Sequence, residues 1–94
     1  MNNHDLTKIN DSSKLFPLYI DIHKELVENN FETINIFLKS IDLTEITVLS
    51  MVGILRITYS WRDNLSYWKT LLENTINELK NRNEDYKSLL AGLL

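Results

Sequence analysis

Three carboxylates, Glu25, Glu28 and Glu32, stand three and four residues apart just downstream of His23. On a helix that spacing lines the acids along one face, where neighbouring carboxylates can exchange protons or hold a divalent cation. The same face carries Lys24 and has the make-up of an ordinary solvated surface. The acid nearest His23 on its N-terminal side, Asp21, is two residues away and therefore on a different side of a helix, and no Glu-x-x-His pair of the carboxylate-bridged metal type occurs. The other histidine, His4, lies in a polar N-terminal stretch. Serines are plentiful, but none sits in a context that supplies a base. With no cysteine, disulfides, thiolate metal sites and cysteine nucleophiles are all excluded. Gly53 and Gly92 are the only glycines, too few for a phosphate-cradling loop. This inventory is that of a non-catalytic chain with no cofactor and no metal.

The stretch Arg56–Lys69, RITYSWRDNLSYWK, offers binding instead of catalysis. It holds both tryptophans, two of the four tyrosines and two of the three arginines. Aromatic rings and arginine dominate binding hot spots, because they bury much area with few rotors and still form hydrogen bonds. Trp68 falls on an apolar helical stripe and reads as core. Arg56 interrupts the most apolar segment and must either snorkel to the surface or pair with a carboxylate such as Asp63. The residues expected to meet a partner are Tyr59, Trp61, Arg62 and Tyr67, together with the terminal Leu93 and Leu94, which have no reason to be left in water.

These side chains need helices to position them. Leu15, Leu18, Tyr19, Ile22 and Leu26 recur at helical spacing, with Pro17 tolerable in a first turn and Asn29–Asn30 as the stop. Phe31, Ile34, Phe37, Leu38 and Ile41 form a second stripe. Asp42 and Glu45 then have the spacing of a capping box. Ile46–Tyr59 is rich in β-branched residues, yet it exceeds a usual strand in length and has no strand partner elsewhere. It reads as a central, mostly buried helix in which Gly53 permits a close neighbour. A turn at Arg62–Asn64 leads to a long helix with Leu65, Trp68, Leu72, Ile76 and Leu79 on one face and the pair Glu78 and Arg82 on the other. Asn81 and Asn83 end it, and a last short helix over Glu84–Ala91 stops at Gly92. The expected fold is all-α, a single domain of four or five helices over residues 13–94, bundle-like or orthogonal. Residues 1–12, with Leu6 and Ile9 as their only aliphatics, are expected to form a flexible tail.

The 94-residue chain carries a net charge of −3, with −4 in residues 1–50 and +1 in residues 51–94. That balance opposes a general nucleic-acid binder. The third and fourth helices still invite a test as a helix-turn-helix, giving a DNA-binding regulator as the alternative function. The helix after Ser66, however, offers only Tyr67, Lys69 and Thr70 as readers, and the turn before it is long. The start MNNHDLTK lacks the features of a secretory signal, and the apolar stretch Ile46–Ile57 is too short to span a bilayer. A cytoplasmic location without membrane contact is the default expectation, and the Asn10 and Asn64 triplets that match glycosylation acceptors then carry no meaning. Eleven Asn, ten Ile and seven Lys hint at an AT-rich bacterial or phage gene. The expected function is protein binding, as an immunity, antitoxin, anti-defence or adaptor type of accessory protein. The expected partner is another protein or a second copy of the chain, and a chain this short gains most from a homodimer.

Overall fold

The computed structural model describes residues 4–94, and every described helix is an α-helix or a short 3-10 turn, with no strand among these residues. We number the α-helices α1 (Leu15–Val27), α2 (Phe31–Ser40), α3 (Val48–Thr58), α4 (Trp68–Asn81) and α5 (Tyr86–Leu89). A 3-10 turn, Ser12–Lys14, leads into α1, and a second, Tyr59–Asn64, continues α3 toward α4. The fold is all-α, as the periodicity predicts. No described helix is long and apolar enough to cross a membrane.

The four longer helices close a ring: α1 packs on α2 and α3, and α4 packs on the same two. Each turns a stripe inward, Leu15, Leu18, Ile22 and Leu26 from α1 and Ile34 and Leu38 from α2. Helix α3 is the centre, with Ser50 through Leu55 and Thr58 all buried. A Cβ on Gly53 would lie 2.7 Å from the Tyr19 hydroxyl and 3.1 Å from Leu15. Glycine therefore lets α1 and α3 approach, as expected of that position.

Two helix ends share one device. Asn29 and Asn83 have positive φ, 60° and 58°. After α1, the amides of Asn29 and Asn30 donate to the carbonyls of Leu26 and Glu25; after α4, those of Asn83 and Glu84 donate to Lys80 and Leu79. Both are Schellman closures, and asparagine tolerates the left-handed residue they need. Gly92, φ 87°, turns the chain again so that Leu93 is buried.

Three local expectations are revised. Asp42 does not cap α3: its carboxylate accepts from the Thr44 amide at 3.0 Å and the Thr44 hydroxyl at 2.6 Å, in a turn of its own. The cap is Thr47, whose hydroxyl oxygen accepts from the Ser50 amide at 3.1 Å, and the helix starts later. On α4 the buried set is Trp68, Leu71, Thr75 and Leu79, so Leu72 and Ile76 sit at the edge of the stripe. The expected loose tail spans residues 1–3, outside the described residues, and residues 4–12, which pack on the core. Leu6 and Ile9 are buried. The Leu6 carbonyl accepts from the Thr47 amide and the Ser50 hydroxyl, at 3.1 and 2.9 Å. The Ile9 carbonyl accepts from the Thr47 hydroxyl at 2.7 Å. His4 closes the segment onto α1 through a 2.5 Å hydrogen bond with Asp21. Two aliphatics suffice because their carbonyls satisfy the start of α3, a need invisible within the segment itself.

Candidate functional site

The aromatic–arginine run is divided among several neighbours. Trp68 is core: its indole N–H donates to the Thr58 hydroxyl at 2.8 Å, and that hydroxyl donates to the Ile54 carbonyl at 2.6 Å. Tyr59 meets Trp68 edge-on, with centroids 5.8 Å apart. Arg62 folds back over Tyr59, its guanidinium carbon 4.0 Å from the ring centre, and donates to the Tyr59 carbonyl at 2.9 Å. Tyr67 faces α2 instead, with its amide on the Asn35 side chain at 3.1 Å and the Lys39 ammonium 5.9 Å from its ring. Leu93 is buried and Leu94 is exposed. Tyr59 and Arg62 thus belong together, while Tyr67 and Leu93 are spent on packing.

Among the described residues Arg56 takes no carboxylate partner. It reaches the surface and donates to the carbonyls of Leu89 and Ala91, at 2.9 and 3.4 Å, holding α5 and the C-terminus against α3. Arg82 does comparable work elsewhere: paired with Glu78 at 2.7 Å, it also donates to the Leu43 carbonyl at 2.7 Å. Carbonyls at the end of a chain or loop are good acceptors for a guanidinium, and sequence spacing gives no hint of them.

Trp61 leads to the feature the sequence reading missed. It stands edge-on to His23 of α1, centroids 5.8 Å apart at 85°. His23 belongs to a second stripe on α1, formed with Phe16, Ile20 and Val27 at spacings of four, three and four. This stripe lies roughly 120° around the helix from the core stripe. Its three apolar residues are 65%, 53% and 55% exposed, the largest such set on one element. Helix α1 is therefore apolar over more than half its circumference but buries only part of that arc. The signal was in the sequence, since the polar residues Asp21, Lys24, Glu25 and Glu28 occupy what remains of the helix.

Helix α3 and the following 3-10 turn form the far wall. Gly53 adjoins Leu15 and Tyr19, Ile57 adjoins residues 19–27, and Trp61 adjoins His23, so the two helices run alongside in the same direction. Between them Tyr19, Ile20, His23, Lys24, Val27 and Ile57 line an open groove of about 560 Å³. Partial burial raises the Tyr19 pKa, and the Arg56 charge works against that rise. A second concavity of about 560 Å³ lies between residues 4–7 and α2 and has a mixed lining that includes Asp5, Asp42, Glu45 and Ile36.

The carboxylates considered above as a chemical face are otherwise engaged. Asn30 donates its amide to Glu25 at 2.8 Å and to Glu28 at 3.3 Å, and Glu32 stands exposed. Among the described residues no three His, Cys, Asp or Glu side chains are grouped to hold a metal ion. The arrangement that remains is a mainly apolar groove with Trp61 packed against one lining residue, His23, suited to burying another molecule's apolar side chains. No known protein family, curated protein or solved structure matches the chain.

Proposed function

We propose that this protein is a non-catalytic binding module that holds another protein through the α1–α3 groove and Trp61. The observation that supports this reading is the second apolar stripe of α1. Phe16, Ile20 and Val27 stay in water although burying each would be favourable by roughly 1.5–3 kcal/mol. Scattered exposed apolar residues are normal, but three along one side of a helix, two of them lining a groove with Ile57, form a patch of the kind that marks an interaction surface. Trp61 is half-buried against His23, and tryptophan is among the residues enriched in hot spots.

The test compares wild type with the double variant Ile20→Glu, Val27→Glu as bait in extracts of the cells that make the protein. Both positions are exposed, so the circular dichroism spectrum should not change. Proteins retained by wild type and lost by the variant support the reading. Identical retention by the two baits would show that this face binds nothing.

A further inference from the structure

The occupant of the groove is constrained by its charge. Among the described residues no carboxylate lines it, and Lys24 does. On the α3 side, exposed Arg56 lies outside the lining, but its charge acts on Tyr19 within it, and among the described residues its hydrogen bonds go to neutral carbonyls. The acids of α1 lie on its other side, Asp21 with His4 and both Glu25 and Glu28 with Asn30. A chain of net charge −3 therefore places a cation and no carboxylate in the lining of this groove.

We propose that the groove takes an amphipathic helix from another protein, with apolar anchors on one face and acidic residues flanking them. This rests on the binding reading above and deepens it. The stripe Phe16, Ile20, His23, Val27 runs for three turns, about 17 Å, which matches a partner helix carrying anchors at i, i+4, i+7 and i+11. Charge selects acidic flanks, since Lys24 and Arg56 then meet opposite charge at the rim, where it steers encounter and fixes orientation. A second copy is the poorer fit. Isologous pairing would bring this cationic groove against itself, with Lys24 and Arg56 repeated on both sides. The same argument counts against this groove as the seam of the homodimer expected from chain length.

The test is a selection from a displayed library of helix-biased peptides, about 18 residues long, with the intact chain as bait. Enriched peptides should be net acidic with apolar residues at helical spacing. Their binding should fall at least about tenfold on Ile20→Ser, and Lys24→Glu should weaken them while strengthening versions with lysine in place of the acids. Both positions are exposed, and circular dichroism checks that each variant folds. Enriched peptides that need Ile20 but are neutral or basic would overturn the acidic-helix assignment and leave the binding module standing. No enrichment, or binding indifferent to Ile20→Ser, would overturn both. A wild-type dimer that Ile20→Ser converts to monomer would assign the groove to a second copy and overturn the proposal.

Discussion

Individual side chains in this protein show how far polar atoms depend on distant partners. Thr58 is buried and serves as acceptor for the Trp68 indole while donating to Ile54. Thr58→Val leaves that indole N–H unpaired in the core and should cost about 1–3 kcal/mol, read from the urea unfolding midpoint. Thr75 is the opposite case. Its hydroxyl oxygen is buried without a hydrogen-bond partner among the described residues. Thr75→Val keeps the shape, removes an unpaid desolvation, and should stabilise by about 1 kcal/mol in the same measurement. At Gly53, a Cβ would already crowd Tyr19 and Leu15, so Gly53→Val should destabilise by about 1–3 kcal/mol. The close approach at Gly53 was legible in the sequence, because an isolated glycine in an apolar helix has few other uses. The Thr58 and Thr75 environments were not, since both depend on which side of α4 turns inward.

At the scale of elements, the ends were easier to read than the starts. Asn29 and Asn83 stop α1 and α4 through a left-handed residue, a local property of asparagine that needs no tertiary contact. Asn29→Ala should therefore cost about 1–2 kcal/mol, and Asn29→Gly should cost nothing or stabilise slightly. The start of α3 was misread because Asp42 and Glu45 satisfy the capping pattern while Thr47 performs the role, its hydroxyl donating at the same time to the Ile9 carbonyl. Residues 4–12 were misread for the same reason: their order depends on a helix start some forty residues away. Helix α1 is the instructive case. Its core stripe is an unbroken aliphatic series, whereas its second stripe is interrupted by His23 and carries a weaker periodic signal than the core series. The aromatic–arginine run is mostly an internal corner, and of the six expected contact residues Trp61 is the one packed against a residue of the groove lining, His23.

For the whole molecule, acid response follows from a recurring local motif. Asp5, Asp11 and Asp42 each accept from the Thr or Ser two residues on, Asp85 from Ser88, and Asp21 from His4. These bonds favour the carboxylate and hold all five pKa values below the ordinary 3.8. A depressed folded pKa means the unfolded chain binds protons first on acidification. The stabilising contribution is thus complete above the ordinary value and is lost as pH falls through 3.8 and below. The urea midpoint should drop between pH 5 and pH 3, and replacing the five aspartates by asparagine should flatten that drop. An unchanged pH profile in the replaced chain would remove these carboxylates as the cause.

On the proposed binding function, the working surface is the outer side of α1 with Ile57 and Trp61. The most direct measurement is a backbone amide NMR titration of the protein with a helical peptide that binds it. Shifts confined to residues 16–27 and 57–61, and absent in Ile20→Ser, are what the structure predicts. Shifts gathered instead around residues 4–7 and α2 would place the binding surface at the other groove and contradict the assignment.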